Sequence, residues 1–144
     1  MSGVSGSGRR VFVDTSAYFA AVNTRDADHA DVSALLRALV AERLRLITTN
    51  FVLAEVHALL LNRVSRAVAL SALRAIEASD LTTIVRVAQR DEQRARTILA
   101  QYDDKDFSLT DATSFAVMER LGIARAFTLD RNFAQYGWDV IRPA

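Results

Sequence analysis

The residues of this chain best suited to chemistry are four carboxylates, Asp14, Glu55, Asp111 and Asp130. Asp14 closes the run Arg10-Val11-Phe12-Val13 and is followed by two small hydroxyl residues, Thr15 and Ser16. Asp130 closes Ala124-Arg125-Ala126-Phe127-Thr128-Leu129 in the same way. Glu55 lies in the second turn of a helix that opens at Asn50, and Asp111 in the first turn of another, after Asp103-Asp104-Lys105-Asp106. In an open α/β sheet, chemistry sits beyond the carboxyl ends of the strands. A parallel sheet would therefore bring these acids to one edge, and only Asp130, followed by Arg131, has a basic residue next to it in sequence. Like charges gathered that closely are costly. A hard divalent cation relieves them, and all-oxygen ligation selects Mg²⁺ or Mn²⁺. Metals held by carboxylates activate water and steady the leaving oxygen of a phosphodiester.

Each acid also has a local explanation. Asp14 could bond its turn or cap the next helix. Glu55, between Ala54 and Val56, could be a solvated helix edge. Ser108-x-x-Asp111 is a capping-box pattern, and Asp130 fits the cap of a helix starting at Arg131. Capping and chemistry are compatible, since helix N-termini hold anions. The coincidence of four such positions is what favours a site.

Other chemistries are poorly supported. The chain has no cysteine, so disulfides, thiolate zinc sites and cysteine nucleophiles are excluded. His29 and His57 lack the spacing of a zinc pair and read as surface or helix-face residues. No G-x-S-x-G, G-x-G-x-x-G or phosphate-loop motif occurs.

The elements that must position the acids alternate. A first strand ends at Val13 and a short helix covers Ala17 to Val22. An amphipathic helix runs from Ala27 to Arg43, carrying Val32, Leu35, Leu36, Leu39 and Val40 at helical spacing. A strand over 44–48 leads into two helices, 51–62 and 65–78, joined at Arg63-Val64. The first of these is apolar nearly all round, which predicts burial on more than one side. A β-branched strand (82–87), a helix (89–102), the acidic loop and a helix ending at Gly122 follow. A strand within 123–129, a short helix (131–136) and a strand (138–141) complete the chain. Strands alternating with helices predict βαβ units and a parallel sheet. The paired helices at 50–78 read as a hairpin inserted beside that plan.

Length and composition agree with one domain. The 144 residues are 51% hydrophobic and 24% charged, the balance of a packed protein. Residues 1–9 read as a flexible leader, without the apolar stretch of a secretory signal, and 10–144 as the domain. No apolar run reaches the roughly 20 residues of a membrane span, which predicts a soluble protein. The lack of cysteine suits a reducing cytoplasm. Net charge is +1, so no global basic footprint marks a duplex-DNA binder. The 18 basic residues comprise 17 Arg and Lys105. That skew suits phosphate recognition, but codon bias in a GC-rich genome would produce it equally.

With these residues in view, the chain resembles the PIN-domain family, specifically the VapC-type ribonuclease toxins of bacterial toxin–antitoxin pairs. The resemblance runs from Val11 to about Ile141. It rests on Val-Phe-Val-Asp14-Thr-Ser, Thr-Asn50-Phe-Val-Leu-Ala-Glu55, Phe-Ser-Leu-Thr-Asp111-Ala-Thr-Ser-Phe-Ala-Val-Met118, Leu121-Gly122-Ile123 and Ala126-Phe-Thr-Leu-Asp130-Arg-Asn-Phe133. It implies a three-layer α/β/α sandwich around a central parallel sheet, and Mg²⁺- or Mn²⁺-dependent RNA cleavage by the four acids, with a metal-activated water attacking and a 3′-hydroxyl leaving. Asp14, Asp111 and Asp130 would be metal ligands, and Glu55 would bind a second metal or orient water. Thr15 or Ser16, and Thr110, would hydrogen-bond the carboxylates; Asp106 would be an auxiliary acid. The resemblance also implies a homodimer and a small VapB-like antitoxin laid over the acidic groove, with the apolar helix at 51–62 as a surface for one of those contacts.

The alternative from another class is a catalytically silent PIN-like module that binds RNA or protein. Retention of all four acids argues against it. A dehalogenase-type phosphatase would need Asp-x-Asp where this chain has Asp14-Thr15-Ser16, and a receiver domain would need a lysine after a late strand.

Overall fold

The computed structural model describes residues 9–144. In chain order the elements are β1 (Arg10–Val13), α1 (Thr15–Val22), α2 (His29–Ala41), β2 (Arg45–Thr49), α3 (Asn50–Arg63), α4 (Arg66–Ala78), β3 (Thr82–Val85), α5 (Gln89–Gln101), α6 (Leu109–Leu121), β4 (Arg125–Phe127), α7 (Arg131–Tyr136) and β5 (Asp139–Ile141). The leader expected over 1–9 lies outside the described residues except for Arg9, whose guanidinium donates to the Glu42 carbonyl at 2.9 Å.

The strands form one parallel sheet in the order β3-β2-β1-β4-β5. Helices flank it, giving the expected three-layer α/β/α arrangement. Beginning at β1, the chain builds outward through β2 to β3, then returns to place β4 on the other side of β1. That reversal makes a topological switch point between β1 and β4, the place where such sheets open a crevice beyond their carboxyl ends. Register there pairs Phe12 with Ala126 and Val13 with Phe127.

The apolar run of β1 is buried because both faces of the strand are covered: Val11, Phe12 and Val13 are essentially inaccessible. Phe12 packs near Phe133 of α7, and Phe133 meets Phe115 of α6 edge-on at 4.9 Å between centroids. Each such ring contributes about 2–3 kcal/mol on burial. Together they tie α6 and α7 to the strand that ends in Asp14.

Several boundaries differ from the pattern-based reading. α1 begins at Thr15 rather than Ala17, directly after Asp14. β4 stops at Phe127, so Asp130 stands three residues beyond the strand and not immediately after it. Thr128 and Leu129 form the link instead. α3 buries Val52, Leu53, Val56 and Leu60 but leaves Ala54, Ala58 and Leu61 exposed, so it is less enclosed than its composition suggests. α6 ends as expected at Gly122, whose φ of +69° is a left-handed conformation that favours glycine.

Candidate active site

Asp14, Glu55, Asp111 and Asp130 line one open groove of about 320 Å³ at the switch point. Four different elements deliver them: the end of β1, the second turn of α3, the first turn of α6 and the link from β4 to α7. Asp106 is exposed in the loop before α6 and is not part of the lining. The two histidines also lie elsewhere. His29 Nδ1 sits 2.9 Å from the Ala20 carbonyl, tying α2 to α1. His57 faces a separate cavity with Asn50, Glu77 and Arg86.

Asp14 is the most buried of the four, 3% exposed. It occupies the cap position of α1, yet its side chain makes no capping hydrogen bond. Its Oδ2 instead accepts from Thr128 Oγ1 at 2.9 Å and from Ser16 Oγ at 3.0 Å. Ser16 Oγ in turn accepts from the Leu129 amide, and Thr128 Oγ1 from the Asp130 amide, each at 2.9 Å. These two hydroxyls stitch the end of β1 to the β4–α7 link. The two hydroxyls also stand 3.1 Å apart, within hydrogen-bond reach of each other.

Asp111 completes a capping box: its Oδ2 accepts from the Ser108 amide at 3.0 Å while Ser108 Oγ accepts from the Asp111 amide at 2.9 Å. The same Oδ2 accepts from Asn132 Nδ2 at 2.9 Å, and Asn132 also reaches Asp130 Oδ2 at 3.5 Å. Asp130 caps α7, accepting from the Asn132 amide at 2.9 Å. The capping explanation therefore holds for Asp111 and Asp130 and fails for Asp14, which bonds its own turn through the Ser16 hydroxyl. Of the expected hydroxyl partners, Ser16 is found at Asp14 and Thr110 is not at Asp111. Ser16 bonds Asp14, whereas the Thr15 hydroxyl is buried without a partner. Thr110 contributes its carbonyl, to Thr113 and Ser114, and no side-chain bond to Asp111. Thr128 and Asn132 take those roles.

Burial raises the Asp14 carboxyl to about 6, and the nearby Asp111 charge pushes the same way; the hydrogen bonds from Thr128, the Thr15 amide and Ser16 work against it. Asp111 is raised too, chiefly by desolvation and also by Asp130. The acids thus repel one another in a partly dry setting.

Among the described residues no three acidic or histidine side chains close into a ready-formed cation cage. The donor set nevertheless fits Mg²⁺ or Mn²⁺. Mg²⁺ keeps several waters and is commonly held by only one or two carboxylates. The side-chain hydrogen bonds to Asp14 and Asp111 fall on Oδ2 in both cases, so among the described residues Oδ1 of each accepts no side-chain hydrogen bond.

Residues 11–139 match the PIN domain family. The chain is 35% identical over 133 residues to the 23S rRNA-specific endonuclease VapC20 of Mycobacterium tuberculosis, an alignment covering 92% of this chain and 98% of that protein. The crystal structure of M. tuberculosis VapC20, described as a sarcin-ricin loop cleaving toxin, is similar with a TM-score of 0.85 at 34% identity, over 92% of this chain and 99% of that one. The structure of VapBC2 from Rickettsia felis bound to a promoter DNA fragment shares the fold at a TM-score of 0.70 and 14% identity, over 94% and 99%.

Proposed function

The chain belongs to the PIN-domain family, and on that footing we propose that it is a metal-dependent endoribonuclease, the toxin half of a type II toxin–antitoxin pair. One observation carries the reading beyond resemblance. Asp14 is a buried, electrostatically penalised carboxylate with no side-chain capping bond and, among the described residues, no basic partner, set at the switch point in one groove with Asp111 and Asp130. A carboxylate kept at such cost, with no cation to offset it, is a functional-site signal.

Asp14 and Asp111 would hold Mg²⁺ or Mn²⁺, with Asp130 as a third ligand and Glu55 lining the same groove. Bound there, the metal would supply a water acidic enough to attack a phosphodiester and would offset charge on the leaving oxygen. The chain's own residues set the stage for that step. Ser16 and Thr128 hold the Asp14 carboxylate in one orientation and favour its ionised form. Asn132 holds Asp111 and Asp130 together. Glu55 would accept a proton from the attacking water or orient it.

The substrate class follows from the relatives, with a ribosomal RNA loop as the first target to test. A small antitoxin that covers the groove would have to satisfy its carboxylates with basic side chains. We also assign a homodimer to the active protein.

Cleavage of total RNA with Mg²⁺ or Mn²⁺, against EDTA, tests this directly. Wild type should release discrete fragments only with metal, and Asp14→Asn should release none. Metal-independent cutting, or an Asp14→Asn protein as fast as wild type, would overturn the assignment. RNA binding without cleavage of any RNA class would instead mark a binding module.

A further inference from the structure

The groove is not acidic along its whole length. On α3, Leu59 and Arg63 follow Glu55 at four-residue steps, so all three share one helix face and each stands about 6 Å farther along the helix axis than the last. On α1, Phe19 lies one turn beyond Ser16 and lines the same groove. α1 packs against α3, and both helices contribute walls to the groove. The walls thus run from carboxylates into an apolar shelf, Phe19 and Leu59, and then to a guanidinium.

Phe19 is half-buried, packed on the core by part of its surface and open to the groove by the rest. The other groove-lining side chains contribute no aromatic ring. Arg63 is exposed. Among the described residues its side chain has no ion pair or hydrogen bond, although Asp26 lines the same groove. The Asp26 carboxylate is engaged locally, accepting from the Asp28 amide at 2.8 Å. A planar ring and an unpaired guanidinium lining one groove present a stacking face and a fork of donors, the two features that hold a single-stranded nucleotide by base and phosphate.

We propose that Phe19, Leu59 and Arg63 form a subsite for the nucleotide adjacent to the scissile phosphate, with the base seated on Phe19 and Leu59 and its phosphate on Arg63. The subsite selects RNA that is unpaired at this position, because a stacked and paired base has no free face for the ring. This rests on the nuclease reading above. The competing explanation for Arg63 is a cation in the last turn of α3 that answers the helix dipole. Lysine would serve the dipole equally well.

The test is binding of a labelled single-stranded RNA dodecamer in Mg²⁺ buffer, in an Asp14→Asn background, over a series of salt concentrations. Arg63→Gln should weaken binding about tenfold and flatten the log–log salt dependence by about 0.7, the release expected from one single-strand phosphate contact. Arg63→Lys should restore the slope but not all the affinity. Phe19→Leu, which keeps the apolar contact with the core, should weaken binding about tenfold with no change in slope. In the cleaving protein, Arg63→Gln should raise KM with little effect on kcat. If the parent binds and both Arg63→Gln and Phe19→Leu stay within twofold of it with an unchanged slope, the subsite is wrong. It is equally wrong if the parent does not bind. A protein with Asp14 restored that shows these binding effects yet cuts no RNA would overturn the nuclease reading and leave the subsite standing.

Discussion

Thr128 Oγ1 donates a 2.9 Å hydrogen bond to Asp14 Oδ2 across 114 residues of sequence. Fully buried, the threonine hydroxyl also accepts from the Asp130 amide. One atom thus orients the most buried acid of the groove and fixes the backbone of another. Thr128→Val keeps the shape and removes the hydroxyl. We expect RNA cleavage to fall about 10- to 100-fold, the usual effect of losing a partner that orients a metal ligand. The acid limb of the pH–rate profile should move to higher pH, because the lost bond favoured ionised Asp14. Thr128→Ser should recover most of the rate. A valine variant with the wild-type profile would show that the hydroxyl orients nothing.

The raised carboxyl of Asp14 has a consequence for stability without metal. Its pKa is about 6 in the folded protein against an ordinary 3.8, so between those values the folded chain holds a proton that the unfolded chain has released. Stability contributed through this group therefore falls as pH rises from about 4 to about 6 and is flat above, a loss of about 3 kcal/mol at 1.36 kcal/mol per pK unit. Urea unfolding in EDTA at pH 4.5 and pH 7 measures it. Asp14→Asn should be the more stable protein at pH 7, and the difference should vanish at low pH. Added Mg²⁺ should raise the stability of wild type at pH 7 by mass action and leave the asparagine variant nearly unmoved. Equal stabilities of the two proteins at pH 7 would contradict the penalty assigned to Asp14.

Asp111 combines a structural and a chemical task, and asparagine separates them. An Asn oxygen can still accept from the Ser108 amide, so the capping box loses charge but keeps its geometry. Asp111→Asn should melt within a few degrees of wild type, a change of under about 1 kcal/mol, while RNA cleavage drops by at least about 100-fold. Thermal melting and a cleavage time course decide this together. Retained cleavage would remove Asp111 from the site.

A second acid-dependent feature lies away from the groove. Asp91 of α5 is 2% exposed and receives Arg120 of α6 in a two-pronged ion pair, both contacts at 2.8 Å. It also accepts from the Ala88 amide at 2.9 Å. The Arg120 guanidinium holds the Asp91 carboxyl below its ordinary range, so this stability is present at neutral pH and is lost as pH falls through the depressed value. Arg120→Ala leaves a buried charge unpaired. The expected loss is about 2–4 kcal/mol, below the full cost of breaking a buried pair because Arg120 is itself partly exposed. Chemical denaturation measures the loss, and kcat of the folded variant should be unchanged.

Much of the groove could be read from local pattern. Val11-Phe12-Val13 marks a strand covered on both faces, and Ser108-x-x-Asp111 marks a helix start; both appear where the pattern puts them. Thr128 and Asn132 were missed. A threonine two residues before an aspartate, or an asparagine two after it, has ordinary turn explanations. The only signal was a likeness: small polar residues flank Asp130 much as Thr15 and Ser16 flank Asp14. The reading of β4 as running to Leu129 failed for a related reason. Thr128 and Leu129 look like strand residues, but the Thr128 hydroxyl and the Leu129 amide are bound to Asp14 and Ser16 across the switch point.

The order of residues by itself determined the alternation of strands and helices, the acids that follow the strands and the family to which the chain belongs. These depend on periodicity, caps and short motifs, which act over a few residues. Tertiary structure decided which neutral side chains hold the acids, that Asp14 is buried and does not cap, and that Phe19 and Arg63 share the groove with them. Those facts depend on the chain returning from β3 to set β4 beside β1, and hydrogen bonds and desolvation respond to distance in space rather than along the chain.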